Sequence, residues 1–397
     1  MALAFRCRNF HRICIGQANF KSIIMSLLFS EYQLTAPSGP LHLANRIVIA
    51  PMCQYSAEQG KATDWHLAHW TSLLNSGAGL VILEATAVTE DGRITPGCLG
   101  LWNDATAEAL QDKLARARKL APHVPVALQI SHAGRKASSA APWHGGQLLD
   151  SAHEGWQPVA PSALPHLATE LPPTELDTAG LERIKIAFVK TAERAQAIGI
   201  EMLELHAAHG YLLHQFLSPI SNKRIDAYGG NFENRTRFVR EIFDAVRAKF
   251  NGVLGIRLSA TDWVEDGWNP EETADLSVGL KEAGANFVHI SSGGVAAQQK
   301  IALGPEYQVP FAKSVKDKSG LPTIAVGLIT QAQQAEAILQ RGDAQLIAFA
   351  RAFLFNPRWA WQAAAELGGV VQASPQYWRC LPREAQSVFG SVKIGMR

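Results

Sequence analysis

An apolar run over residues 200–205 ends in Glu204-Leu205-His206-Ala207-Ala208-His209-Gly210-Tyr211, with two histidines three residues apart, then a glycine and a tyrosine. The run reads as a buried strand. A buried strand that breaks into proton-carrying side chains marks the active rim of a parallel α/β protein. Two imidazoles at such a rim can present N–H groups to one oxygen, and a tyrosine adds an O–H. The spacing alone fits a pair of satisfied, half-buried histidines equally well. Matching chemistry at other strand ends raises it above that reading.

The elements that must position these groups follow a regular alternation. Apolar runs of strand length occur at residues 46–52, 80–88, 124–130, 200–205, 254–259, 287–291, 323–326 and 346–349. Segments with helical spacing lie between them, among them 105–120, 181–197, 231–249, 272–283, 332–340 and 359–367, and several end near Gly199, Gly284 or Gly342. Alternating strands and helices predict a parallel sheet. Eight strands predict a closed (β/α)8 TIM barrel of α/β class in a single domain over residues 26–379. An open doubly wound sheet is the alternative, but no G-x-G-x-x-G opens a helix after the first strand. Residues 34–43 read as an N-terminal hairpin around a Pro/Gly turn. The long irregular block 132–177 follows the third strand and reads as a capping loop over the barrel mouth.

In a barrel the residues at the strand C-termini face one mouth. Strand one supplies Pro51, Met52, Cys53, Gln54 and Tyr55. Strand two supplies Ala85 and Thr86, and strand three Gln129, Ser131, His132 and Arg135. Strand five supplies Arg257, strand six Ser291, Ser292, Gly293 and Gly294, strand seven Gly327, and strand eight Ala350 and Arg351. Gly293, Gly327 and Arg351 belong to the last three strands, whose loops often hold a phosphate. Thr330 is expected to cap the following helix and Arg351 to clamp the phosphate as a planar fork. Gln129 can donate and accept at a heterocycle edge. Arg257, if buried, needs an anion, and an internal pair with Glu204 is one way to supply it. Cys53 is a candidate nucleophile if a base lies beside it, a redox-tuning thiol if it faces a ring, or a buried structural cysteine. No lysine ends a strand and no H-E-x-x-H occurs, which argues against a Schiff-base aldolase and a zinc hydrolase.

Bulk properties narrow the class. A net charge of +2 over 397 residues points to neither nucleic acid nor an anionic membrane. The five cysteines are scattered without a C-x-x-C, which argues against a metal cluster or disulfide framework and suits a reducing, cytoplasmic compartment. Residues 1–25 carry Arg6, Arg8, Arg12 and Lys21 with no acid, as a transit peptide would. An upstream start codon before a protein beginning at Met25 is the plainer reading, and disorder is expected there in either case.

Taken together, Ala50-Pro51-Met52-Cys53-Gln54-Tyr55, Glu84-Ala85-Thr86-Ala87-Val88, Gln129-Ile130-Ser131-His132-Ala133-Gly134-Arg135-Lys136, the His206–Tyr211 segment and Ser221-Asn222-Lys223-Arg224-Ile225-Asp226-Ala227-Tyr228-Gly229-Gly230 resemble the Old Yellow Enzyme family, in its thermophilic-like, xenobiotic reductase branch. The resemblance covers roughly residues 26–379. It implies an FMN-dependent ene-reductase, reduced by NADPH or NADH, that acts on α,β-unsaturated carbonyl compounds by ping-pong kinetics. Quinones or nitro compounds are alternative acceptors, and a non-catalytic flavin sensor is the rival from another class. By this resemblance Pro51, Met52, Cys53, Ala85, Gln129, Arg257, Gly327, Ala350 and Arg351 contact FMN, with Gly293 added from its strand-end position, and Cys53 tunes its potential. His206 and His209 hold the substrate carbonyl, Tyr211 protonates the α-carbon and Tyr55 orients the substrate. Trp378 and Arg379 resemble the segment that this branch sends into a neighbouring subunit's site, which implies a homodimer or homotetramer. The related xenobiotic reductases place a tryptophan after strand seven where this chain has Val326-Gly327. Residues 380–397 have no counterpart.

Overall fold

The computed structural model describes residues 26–393 and Gly395. The expectation of disorder before residue 26 lies outside the described residues. Twelve strands form: β1 Tyr32–Leu34, β2 Leu41–Leu43, β3 Ile47–Ile49, β4 Leu80–Ala87, β5 Val126–Ser131, β6 Val159–Ala160, β7 Thr174–Glu175, β8 Met202–Ala207, β9 Val253–Ser259, β10 Phe287–Ser291, β11 Thr323–Ala325 and β12 Leu346–Phe349. Eight of them close a parallel barrel in the order β3-β4-β5-β8-β9-β10-β11-β12, with β12 paired back to β3. The (β/α)8 TIM barrel is thus the architecture of the chain.

Ten helices surround it: α1 Asp64–Leu74, α2 Asp104–Lys119, α3 Thr178–Ala197, α4 Leu212–Leu217, α5 Phe232–Arg247, α6 Pro270–Glu282, α7 Val309–Ser319, α8 Ala332–Gln340, α9 Arg351–Phe355 and α10 Trp359–Leu367. Side chains of Asn103, Asp177, Asn231 and Asn269 cap α2, α3, α5 and α6 by accepting backbone N–H groups. Helices α1 and α7 carry narrow apolar stripes. The stripe of α1 is His66, Trp70, Leu73 and Leu74, with a histidine in an otherwise apolar set, which blurs its sequence period. None of these helices is long and apolar enough to cross a membrane.

Strand alternation explains how the barrel is at once a core and a site. Val48, Leu80, Ala127, Met202, Val253, Phe287, Ile324 and Leu346 point inward near the strand starts and pack with Leu34 and Leu43 of the β1–β2 hairpin. The hairpin therefore plugs the N-terminal end of the barrel. Further along four adjacent strands the inward series turns polar: Gln129 after Ala127, Glu204 and His206 after Met202, Arg257 beyond Val253 and Gly255, His289 after Phe287. The outward series, including Ile49, Val81, Leu83, Leu128, Leu203, Leu205, Ile256 and Ile290, packs beneath the helices.

Both ends of the described residues are stitched to this frame. Glu336 on α8 accepts from Ser26 Oγ at 2.6 Å and from the Leu27 and Leu28 amides at 2.9 Å. Residues 380–393 are not a free extension, because Phe389 stacks edge-on to Trp361 of α10 at 4.9 Å in a small core with Val371 and Val388. The 132–177 block is less irregular than its composition suggests. It holds the two-stranded parallel β6–β7 sheet and three 3-10 turns.

Candidate active site

The expected strand over residues 200–205 runs as Met202–Ala207, so His206 lies on the strand itself, paired in register with Arg257 on β9. Arg257 is in turn paired with His289 on β10, and Gln129 with Glu204. These side chains form two stacked polar layers above the apolar floor.

The lower layer is a hydrogen-bonded unit, with His289 Nε2 buried and unpartnered. Glu204 accepts from Gln129 Nε2 at 2.7 Å and shares a 2.7 Å bond with His289 Nδ1. Burial would raise the Glu204 carboxyl, but His289, Arg257 and Gln129 hold it below its ordinary value, so it is the ionised member. Burial lowers His289, which acts as a neutral donor. Each oxygen of Glu204 accepts one bond here, and among the described residues Glu204 and Arg257 act on one another through their charges without a hydrogen-bonded ion pair. Arg257 Nε is buried without a hydrogen-bond partner, and Arg257 forms no ion pair among the described residues. A buried guanidinium left in this state is unfavourable unless an anion meets it. The donors of Gln129 and Arg257 therefore suit a ring with carbonyl oxygens and delocalised negative charge.

The His206 and His209 rings stand 5.2 Å apart and nearly perpendicular, and His206 lies 4.9 Å from the Tyr211 ring. Burial first, and then Arg257, pushes both histidines well below their ordinary pKa, so both are neutral. His206 Nδ1 accepts from the Ala208 amide at 3.3 Å, which leaves its proton on Nε2. His209 Nε2 and Ser291 Oγ are 2.7 Å apart. Burial pushes the Tyr211 phenol well above its ordinary value, and Cys53 and Tyr55 add to this. It is thus a neutral proton donor.

Pro51, Met52, Cys53 and Tyr55 follow β3 as a half-buried turn, with Tyr55 in the left-handed region at φ 49°. Although the residue is half-buried, the Cys53 thiol is enclosed. Burial, then Cys98 and Glu84, pushes it well above its ordinary value, so no thiolate is available at neutral pH. A thiol held neutral in this way is a poor nucleophile and is consistent with an uncharged group. The same burial raises Tyr55. A register shift between Leu83 and Thr86 in β4 places Glu84 and Ala85 beside this turn. Trp143 from the capping loop meets Tyr55 edge-on at 5.7 Å, a contact that no sequence pattern announced.

Glu84 was also missed. Its Oε2 accepts from the Gln54 amide at 2.8 Å, and its Oε1 lies 3.5 Å from His66 Nε2. Burial raises its pKa to about 8 from 4.5, opposed by the Gln54 amide. A carboxyl raised in the folded state binds more protons there than in the unfolded chain. Its contribution to stability is full below the unfolded value and is lost as pH rises through the folded one. Wild type should lose melting temperature between about pH 5 and 8 through Glu84, and Glu84→Gln should flatten that decline. Parallel melting-temperature profiles for the two proteins would refute this.

A cavity of about 1100 Å³ opens over the ends of β10, β11 and β12, lined among others by Tyr307, Gln308, Gly327, Thr330, Ala350 and Arg351. Its size suits a nucleotide-sized ligand. Gly327 has φ +128°, and a Cβ there would stand 3.0 Å from Gln308 Nε2. Two details differ from expectation. Thr330 does not cap α8. The N-cap is Gln331, and the Thr330 amide donates instead to Gln334 Oε1 at 2.9 Å. Gly293 offers no free donor, because its amide is bound to Thr261 O at 2.8 Å in a turn away from the cavity lining. Trp378 and Arg379 lie in the 3-10 turn Pro375–Cys380. Within this chain, Trp378 bonds Ala373 O at 3.0 Å and packs toward α10, while Arg379 is exposed.

Comparison with known proteins bears on this arrangement. The NADH:flavin oxidoreductase / NADH oxidase family pattern matches residues 37–368. An NADPH dehydrogenase of Listeria innocua is 42% identical over 358 residues, covering 89% of this chain and 99% of that protein. An NADPH dehydrogenase from a Geobacillus species is 39% identical over 356 residues, covering 89% and 98%. Among solved structures, morphinone reductase superposes with a TM-score of 0.71 at 27% identity, covering 89% of this chain and 93% of that one. A 2-naphthoyl-CoA reductase, at 22% identity and a TM-score of 0.75, shares the fold, and this chain spans about half of it, 52%. The cofactor of this oxidoreductase is FMN and its reductant NAD(P)H, in agreement with the unpartnered Arg257 and the nucleotide-sized cavity. The chain belongs to the NADH:flavin oxidoreductase / NADH oxidase family, that of Old Yellow Enzyme.

Proposed function

We propose that this protein is an ene-reductase, reducing the activated C=C bond of α,β-unsaturated carbonyl compounds. The carrying observation is the neutral His206–His209 pair with the protonated Tyr211 phenol 4.9 Å away. Bound FMN, reduced by NAD(P)H, supplies a hydride for an electron-poor carbon. The residues of the chain do the rest. His206 and His209 donate to the substrate carbonyl, which gains negative charge as the double bond is reduced, and fixed donors aimed at that charge lower the barrier. Tyr211 delivers a proton to the α-carbon. Gln129 and Arg257 hold the polar edge of the flavin ring, with Pro51, Met52, Cys53 and Ala85 along it. Gly327, Ala350 and Arg351 hold its phosphate. Tyr55 orients the substrate, and Cys53 acts as an uncharged thiol beside the ring.

The decisive experiment is an anaerobic visible spectrum. The flavin band should bleach with NADPH and return with cyclohexenone. A band that returns with a quinone or nitro compound but not with any enone would overturn the ene-reductase reading in favour of those acceptors. A band that no acceptor restores would leave a flavin sensor. Replacing His206 or His209 with Ala should weaken binding of 4-nitrophenol by about 10-fold or more, the worth of a hydrogen bond to a charged oxygen. Unchanged affinity would remove the carbonyl clamp. The same reading extends to Trp378 and Arg379 as groups offered to a neighbouring subunit, supported by the exposure of Arg379. A monomeric mass in solution would exclude it.

A further inference from the structure

The left-handed dipeptide His209–Gly210, with φ of 58° and 75°, joins the second carbonyl-binding histidine to the tyrosine. All four of its backbone polar groups are gripped by side chains from elsewhere. Ser259 Oγ accepts from the His209 amide at 3.0 Å, and Lys136 Nζ donates to His209 O at 3.0 Å. His214 Nδ1 accepts from the Gly210 amide at 2.9 Å, and Gln215 Nε2 donates to Gly210 O at 2.7 Å. A Cβ on Gly210 would fall 2.1 Å from Gly294 O, so the turn is also pressed against the loop after β10.

The grip is itself braced. His214, Gln215, Ser259 and Asp262 are fully buried. His214 Nδ1 is an acceptor, so its proton is on Nε2, which donates to Asp262 Oδ1 at 2.9 Å. Asp262 Oδ2 accepts from Ser218 Oγ at 2.6 Å and from the Trp268 amide at 2.7 Å, which ties the histidine to the β9–α6 connection. Lys136 Nζ also lies 5.0 Å from the centre of the Tyr211 ring. A turn in this backbone region is strained for His209, and a surrounding that overdetermines it is how such strain persists at a working site.

Resting on the ene-reductase reading, we propose that His214 is a positioning residue for proton delivery. Its hold on the Gly210 amide fixes the His209–Gly210 turn so that Tyr211 faces the carbon next to the carbonyl clamped by His206 and His209. In the step it serves, hydride adds at the β-carbon and the C=C electron pair moves toward the carbonyl. The Tyr211 O–H proton then adds at the α-carbon, and the tyrosinate regains a proton from solvent. A quinone needs no proton on carbon, because its reduced oxygens are protonated by water.

Two polar variants of the FMN-loaded full chain separate this role from a merely structural one. In His214→Asn the amide oxygen stands where Nδ1 stood and can keep the Gly210 bond while losing Asp262. In His214→Gln the amide reaches Asp262 and abandons Gly210. The ratio of cyclohexenone to benzoquinone turnover should fall at least tenfold in His214→Gln, with 4-nitrophenol affinity down at least threefold. Both should stay within twofold of wild type in His214→Asn. Ser259→Ala, a small deletion at the opposite grip, should lower the same ratio at least threefold and serves if either His214 variant fails to fold. Wild-type protein that turns over no enone would sink the ene-reductase reading. Wild type that reduces enones, with His214→Gln and His214→Asn equal in ratio or Ser259→Ala unchanged, would overturn this inference alone.

Discussion

Tyr211→Phe should lose tenfold or more of its enone turnover while retaining FMN and reduction by NADPH at the wild-type rate. Positioned general acids contribute about 10²–10⁴-fold, and phenylalanine keeps the ring that packs 4.9 Å from His206 while deleting the proton. The direction of the pKa shift adds a second expectation. Burial holds the phenol protonated beyond its ordinary range, so Tyr211 should impose no alkaline loss of activity below about pH 10. Stopped-flow measurement of the two half-reactions separates the effect. A variant that oxidises with enone as fast as wild type would remove Tyr211 as the donor. A variant slowed equally in the NADPH half-reaction would show that the hydroxyl serves both half-reactions rather than proton delivery to the enone.

Arg257→Met should weaken FMN binding by about 30-fold or more, the cost of deleting one member of a buried charge pair. The reason is visible in the protein: Glu204 accepts from Gln129 and His289 and makes no hydrogen bond to Arg257, whose buried Nε has no partner, so the guanidinium can meet the ligand. The same fact gives a prediction of opposite sign for the apoprotein. An unpaired buried charge destabilises, so apo Arg257→Met should melt no lower than apo wild type, while the holo variant melts lower than the holo wild type. Fluorescence titration with FMN and melting curves with and without it test both halves. Equal FMN affinity, or an apo variant much less stable than apo wild type, would show that Arg257 is a structural residue.

The order of the barrel strands was legible because it rests on local signals. Each buried parallel strand reads as a short apolar run, and each helix between them as a periodic one. The polar groups at the strand ends were legible for a related reason: His206, Arg257 and Gln129 interrupt apolar runs at a cost that a core would not bear unrewarded. Their partners were not. Nothing in the sequence says that Glu204 turns to His289, 85 residues away, rather than to Arg257. Strand register decides it, because that pairing depends on which residues the closed barrel sets side by side. Thr330 looked like a cap by type, yet the chain starts α8 one residue later. Gly293 looked like a phosphate donor by position, yet its amide donates to Thr261 O on the connection after β9. Glu84, Trp143 and the grip on His209–Gly210 were invisible for the same reason. Their chemistry lies in contacts between distant segments, and sequence determines the types of groups a barrel mouth can offer while tertiary structure decides which of them are left free to act.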